Sequence, residues 1–223
     1  GSAHAKTDEF DSGSAWDGKW SEFDQSAELT PSVANGFGVL KIANQAAVNR
    51  TVAMYQAIPT ANDWVFAAKM HMAQIGAVTG TMQMGIFLSE SLTGAPTTAD
   101  WFTIRLLQGA TNEYSSATFT AYNAAATGGT SVPRVDRTCY FRCRVLNTAG
   151  TYSAKWDWSD DGIGWHEMRS ANVGFTPVHF GVYARNLSTG SDAYVYTQWF
   201  RVAETAVTFG DLTPGGRVLN VYA

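Results

Sequence analysis

Charge is scarce in this chain of 223 residues: Asp, Glu, Lys and Arg make up 15%, with 19 acidic against 15 basic residues and a formal net charge of −4. Ordinary soluble domains carry roughly 25%. No block of like charge occurs, so the footprint that holds a phosphate backbone is missing and nucleic acid is not expected as a partner. No apolar stretch approaches the roughly 20 residues that cross a bilayer, so membrane insertion is not expected either. Cysteine is nearly absent. Cys139 and Cys143 fall in one extended run, where their Cα atoms would stand ~13 Å apart. A disulfide needs less than ~7 Å, which predicts two free, buried thiols. His4, His71, His166 and His179 are dispersed, without His-x-x-x-His or Cys-x-x-Cys spacing, so no zinc site is expected. No glycine-rich phosphate loop and no Gly-x-Ser-x-Gly elbow appears, which excludes the nucleotide and serine-hydrolase signatures. A helical stripe of apolar residues is missing as well: almost nowhere does a 3.6-residue period last three turns.

What is present is hydrophobic and aromatic. Apolar residues make up 45% and aromatics 13% of the chain, enough to fill a core. Runs of six to ten residues with period-two alternation recur between Gly, Asn, Thr and Pro groups, at 37–42, 50–58, 64–72, 82–88, 101–107, 116–122, 138–146, 152–159, 178–185 and 194–202. Such spacing predicts an all-β chain of two stacked antiparallel sheets. From Trp64 to Met72 the even positions are apolar while Lys69 and His71 take the other face, so one face is core and one is wet. Stretches 89–99 and 121–130 read as long surface loops. No linker divides the chain, which predicts a single domain over 1–223 with its core at about 37–203. The first nine residues open on Gly1-Ser2, read as a tag remnant or flexible arm, and 204–223 read as a carboxyl-terminal extension that adds an edge strand or docks on a neighbour.

Asn147-Thr148-Ala149-Gly150 has hairpin turn chemistry, and facing residue numbers are expected to sum to about 297. Phe141 then faces Trp156, Cys143 faces Ala154 and Val145 faces Tyr152, all apolar. On the reverse face Tyr140 meets Asp157, Arg142 meets Lys155 and Arg144 meets Ser153. A like-charge pair such as Arg142 and Lys155 destabilises unless water or an anion lies between the two.

The string Ser159-Asp160-Asp161-Gly162-Ile163-Gly164-Trp165 leaves a strand, turns and returns on a large aromatic. Its Ser and Asp oxygens can accept backbone N–H groups, Gly162 can take φ > 0, and Trp165 can cap the core. The alternate oxygens of Asp157, Ser159 and Asp161 also match the first half of a calcium loop. Position twelve is Met168 and not the bidentate Glu, so no EF-hand forms and an irregular Ca²⁺ site is the one cofactor left to consider. The turn resembles the Ser-x-Asp-Gly-x-x-Trp turn of jelly rolls in the concanavalin A-like lectin and glucanase superfamily. Val178 to Asn186, followed by Tyr194 to Val202, looks like that superfamily's last two strands, with Gln198 where Asp is usual. The resemblance implies a concanavalin A-like jelly-roll sandwich with one curved, wet, aromatic surface.

Hydrolases of that superfamily are expected to carry a Glu-x-Asp-x-Glu or Glu-x-Asp-x-x-Glu run. The nearest string, Glu22-Phe23-Asp24-Gln25-Ser26-Ala27-Glu28, places its third acid too late, which reads against an enzyme. Aromatic faces suit the C–H side of sugar rings while polar neighbours bond hydroxyls. The first expectation is thus a non-catalytic glycan-recognition module at a cell or virion surface, with Trp101, Tyr140, Arg142, Arg144, Asp157, Tyr183 and Arg185 as contacts. Trp199 shares the polar parity of its strand. Two alternatives stand beside it: an assembly domain of a phage tail or capsid surface, binding copies of itself or virion neighbours, and a glycoside hydrolase with an atypical acid pair.

Overall fold

Alternation of apolar and polar side chains is carried through into the structure, a computed structural model that describes residues 4–11, 13, 15–24, 27–43, 51–74, 81–92, 100–109, 112–120, 127, 129–134, 136–186 and 192–204. Among these residues there are strands and no helix. In chain order the strands are β1 (Ser21–Phe23), β2 (Leu29–Ala34), β3 (Phe37–Ile42), β4 (Val52–Ala57), β5 (Asp63–Gln74), β6 (Met82–Ser89) and β7 (Trp101–Gln108). The second half adds β8 (Glu113–Phe119), β9 (Ser131–Pro133), β10 (Thr138–Thr148), β11 (Thr151–Ser159), β12 (His166–Asn172), β13 (His179–Asn186) and β14 (Ala193–Glu204). They form two 7-stranded sheets: sheet I in the order β12-β11-β10-β5-β14-β3-β2 and sheet II in the order β1-β4-β13-β6-β7-β8-β9. All pairings are antiparallel, as expected for a sandwich.

The inward faces meet in one apolar layer. Trp64, Phe66, Met70 and Met72 of β5 pack with Phe141 and Cys143 of β10, Phe180 and Val182 of β13, and Phe200 of β14. Phe66 touches the rings of Trp64, Trp156, Phe180 and Phe200 at centroid distances of 5.3, 6.2, 5.0 and 5.9 Å. Each such ring contributes about 1.5–3 kcal/mol by leaving water. Cys139 and Cys143 point into this layer as free thiols, and burial pushes both thiol pKa values well up.

The core reaches further toward the amino end than the expected 37–203. Asp8 pairs with Phe200 across a β-bridge, and Phe10 and Trp20 are buried. Trp20 meets Phe200 edge-on at 5.0 Å and donates its indole N–H to Asp8. Gly38 makes room for this segment, since a Cβ there would lie 2.6 Å from a Phe10 ring carbon and 2.7 Å from Trp16. The described residues between His4 and Trp20 are therefore part of the fold and not a loose arm. The expected loops at 89–99 and 121–130 lie largely outside the described residues, as does 205–223.

The β10–β11 register differs from the expected one by two residues. Phe141 pairs with Trp158, Cys143 with Trp156 and Val145 with Ala154, so facing numbers sum to 299. The cause is a turn of the same length placed one residue later: Thr148 pairs with Thr151, so the two loop residues are Ala149 and Gly150, both with positive φ (52° and 87°). That is the two-residue hairpin geometry whose twist suits its strands. A shift of two keeps every side chain on its face but changes its neighbours, so Arg142 pairs with Asp157 and not with Lys155. Asn35-Gly36 closes a second such hairpin between β2 and β3, at φ 53° and 76°. Ala149 sits in a left-handed conformation that L-alanine tolerates poorly and asparagine tolerates well. Ala149→Asn is expected to raise stability by about 0.5–1 kcal/mol, read as a higher denaturant midpoint with unchanged slope; a lower midpoint would contradict the turn geometry.

Candidate functional site

The seven candidate contacts do not share a surface. Tyr140, Arg142, Arg144 and Asp157 alternate with the inward Phe141, Cys143 and Val145, so they occupy the outer face of sheet I. Trp101, Tyr183 and Arg185 alternate with inward Phe102, Val182 and Ala184, so they occupy the outer face of sheet II. The whole sandwich lies between the two groups.

On sheet II the candidates are packed away. Trp101 is 1% exposed, Tyr183 0% and Arg185 2%. Trp101 stacks on Phe87 at 4.3 Å and belongs to a second apolar cluster with Phe23, Phe119 and Tyr183. The guanidinium carbons of Arg185 and Arg105 lie 4.1 and 5.4 Å from the Phe119 centroid. Arg105 donates to Ser115 and Gln83, and Arg185 to Thr51. Burial, followed by the neighbouring Arg105, brings Arg185 down to about 10, with the phenol of Tyr183 acting the other way.

On sheet I, Asp157 is 1% exposed and accepts from Arg142 Nε at 2.9 Å and from Arg144 Nε and Nη2 at 2.9 and 2.8 Å. Lys155 pairs with Glu167 across β11–β12. The like-charge pair expected between Arg142 and Lys155 is thereby replaced by a carboxylate holding two guanidiniums. Register also sets Asp157 beside Glu167, yet each is already bound to cations. Trp165 does not cap the inner core: its ring lies 4.3 Å from the Arg142 guanidinium, in an outer-face cluster with Val65, Ala67 and Trp199.

The turn after β11 is built as a turn. Ser159 Oγ accepts from Gly162 N–H at 2.9 Å and donates to Asp161 Oδ1, which also accepts from Ile163 and Gly164 N–H at 2.7 and 2.9 Å. Those backbone donors, with Ser159, hold the Asp161 carboxyl below the usual carboxylate range. Each oxygen group expected to meet a calcium ion, on Asp157, Ser159 and Asp161, thus already has protein partners. Among the described residues no group of three His, Cys, Asp or Glu is placed to hold a metal. The acid string near the amino end is likewise no strand motif, because β1 stops at Phe23 and Asp24 accepts the Leu29 N–H.

An open site lies elsewhere on sheet I. A groove of about 590 Å³ crosses the outer face of β2, β3, β14, β5 and β10, lined by Phe37, Tyr194, Tyr196 and His71 with Ser32, Asn35, Lys69, Thr138 and Gln198. Tyr194 and Tyr196 are parallel at 6.4 Å, and Phe37 and His71 lie 6.0 and 6.3 Å from Tyr196. The four rings are half-buried and form a platform. The His71 ring nitrogen Nδ1 and the Thr138 hydroxyl share a hydrogen bond of 2.9 Å. Burial, then Arg137, lowers the His71 pKa. The β14 strand is bulged between Thr197 and Trp199, so Gln198 is an extra residue that stands exposed at the groove. Before the bulge Thr197 faces inward, and after it Trp199 faces outward, 4% exposed, between Tyr140 and Arg201. Trp199 therefore does not share its face with Thr197. The polar parity of Lys69 and His71 is visible in the sequence; the remaining signal lies in Tyr194-x-Tyr196 and in the Asn35-Gly36 turn.

No family model and no curated protein matches the chain. Solved structures match it in fold. The GH43 BlXynB protein from Bacillus licheniformis matches at a TM-score of 0.63 and 14% identity, over 90% of this chain and 39% of that one. The chain thus spans about two fifths of that protein. The β-glucanase of Bacillus licheniformis matches at a TM-score of 0.58 and 13% identity, over 92% and 99%. The CBM2 module of an evolved Dit protein from Lactobacillus casei BL23 phage J-1 matches at 0.57 and 10%, over 90% and 96%. The fold is the concanavalin A-like jelly-roll sandwich that the turn and final strands resemble. The expectation that the chain is not an enzyme is corrected here, because structures sharing this fold include glycoside hydrolases and the missing acid triplet does not exclude hydrolase chemistry.

Two outcomes follow from these contacts. Asp157→Ala would leave the buried Arg142 and the part-buried Arg144 facing one another and is expected to cost about 3–5 kcal/mol, measured by chemical denaturation; a loss below about 1 kcal/mol would show that this carboxylate is not what neutralises them. His71 and His179 both have lowered folded-state pKa values, the latter through burial. Folding therefore favours their neutral forms, and their contribution, present above the unfolded value of about 6.5, is lost as pH falls below it. The melting temperature is expected to fall between about pH 7.5 and 5.5, and His71→Gln to flatten that slope.

Proposed function

We propose that this chain is a glycan-recognition sandwich and that its sugar-facing surface is the Tyr194–Tyr196 groove on sheet I. The observation that carries this reading is an open groove of about 590 Å³ whose floor is four aromatic rings and whose walls offer hydroxyl, amide and ammonium groups. A pyranose has one face of C–H bonds and a rim of hydroxyls. The ring faces of Tyr196 and Tyr194 suit the first, and Ser32, Asn35, Thr138 and Gln198 suit the second. The volume lies in the range of small-ligand sites, roughly 300–1,000 Å³. Similarity in fold to a β-glucanase and to a phage Dit CBM2 module supports a carbohydrate partner. It also supports a place of action at a cell or virion surface, where such chains are exposed. The buried face of sheet II serves in this reading as the layer that stiffens the sandwich.

A glycan array followed by calorimetry tests the assignment. Tyr196→Ala is expected to weaken oligosaccharide binding about tenfold, an aromatic contact being worth about 0.5–1.5 kcal/mol beyond its buried area, while leaving the melting temperature nearly unchanged. Trp101→Ala, on the other sheet, is expected to lower stability by about 3–5 kcal/mol. If Tyr196→Ala binds sugar like the parent, the groove is not the sugar site.

A further inference from the structure

The groove has an uneven charge pattern, and its origin can be traced across the sheet. In the row nearest the β14 bulge, Trp199, Lys69 and Tyr140 are neighbours; in the next, Tyr196, His71 and Thr138. Because the bulge sets Gln198 and Trp199 against the single residue Lys69, the Gln198 amide and the Lys69 ammonium open on the same groove. Among the described residues that line it there is no Asp or Glu.

Five other cations described on this outer face are matched by carboxylates. Arg142 and Arg144 share Asp157, Arg201 forks onto Glu9, Lys155 pairs with Glu167 and Lys41 with Asp192. Lys69 is different. Its Nζ lies 5.3 Å from the Tyr140 ring centroid, and among the described residues no carboxylate is within ion-pair distance of it. On a chain of net charge −4, a groove with a lysine, an imidazole and amide donors, and no acid in its described lining, is a local inversion of sign. Arg137, close to His71, adds a second positive charge at the rim.

We infer that the groove takes an acidic glycan, a chain whose sugar rings carry carboxylates, with a ring face on Tyr196 and the carboxylate held by Lys69 and Gln198. The inference rests on the reading of this groove as the sugar site and adds the chemical class of its ligand. A neutral glycan would fill the aromatic floor equally well but would leave the lysine without an anionic partner. The single-residue bulge is what brings donor amide and ammonium together, so specificity and platform come from the same strand.

Calorimetry with oligogalacturonate and with neutral xylo-oligosaccharides of equal length, at low and high salt, tests it. Oligogalacturonate is expected to bind about tenfold more tightly than the neutral oligomer, as one charge-assisted contact gives. That advantage is expected to shrink at high salt and to vanish in Lys69→Met, with Gln198→Ala reducing it in part. Lys69 is half-exposed, so neither variant is expected to move the melting temperature. Equal or tighter binding of the neutral oligomer, or an unchanged preference in Lys69→Met, would overturn the acidic class while leaving the groove as the sugar site. Failure of both oligomers to bind, with Tyr196→Ala binding a wider array as the parent does, would overturn the site itself.

Discussion

The outer surfaces of this protein are placed by its inner layer. Phe66, Phe180 and Phe200, one from each of β5, β13 and β14, meet within 5.0–5.9 Å between the sheets and cannot be turned outward without opening the core. In a strand the side chains alternate, so fixing Phe66 inward fixes Lys69 and His71 outward with no further interaction needed. Groove, ion pairs and buried aromatic face all inherit their positions from that constraint. The chain departs from it at a bulge in β14, where one additional residue reverses parity between Thr197 and Trp199. Without the bulge, either Phe200 would leave the core or Tyr196 would leave the groove.

The two outer faces resolve the burial of polar groups in different ways. On sheet I the charges are paired: Asp157 joins two guanidiniums, and Trp165 lies against one of them, lowering the dielectric in which the ion pair acts. On sheet II the cations Arg105 and Arg185 lie against the ring of Phe119 and donate to neutral oxygens. The first arrangement leaves the neighbouring strands β14, β5 and β3 open as a groove. The second consumes its aromatics in packing, which is why Trp101 and Tyr183 lie buried.

Much of the fold was legible because its signal is local. Period-two runs located most strands, and the parity of Trp64 to Met72 placed core and wet faces correctly along β5. Turn chemistry at 147–150 located a hairpin but placed its centre one residue too early, which shifts every facing pair by two. That error left the apolar assignments intact, since a shift of two preserves faces, and spoiled the charge assignments, since it exchanges neighbours. The site was less legible for a related reason. Parity tells whether a side chain points in or out of its own strand, but a sandwich has two outsides, and only strand order says which one. Tyr140 and Tyr183 have the same parity signature and end on opposite sides of the molecule.

The bulge explains why the groove itself was hard to read. A strict alternation from Tyr194 onward puts Gln198 on the same face as Tyr196, and then places Phe200 there too, which no wet surface accommodates and no core can spare. The conflict is visible in Thr197-Gln198-Trp199-Phe200, where two large aromatics are adjacent and cannot both be inside. One extra residue resolves it by sending Phe200 in and Trp199 out, with Gln198 left over at the edge. Adjacent aromatics after a polar residue in a long strand are thus a sequence mark for a bulge. Here that mark coincides with the groove, because the residue displaced from regular pairing is the one free to reach a ligand.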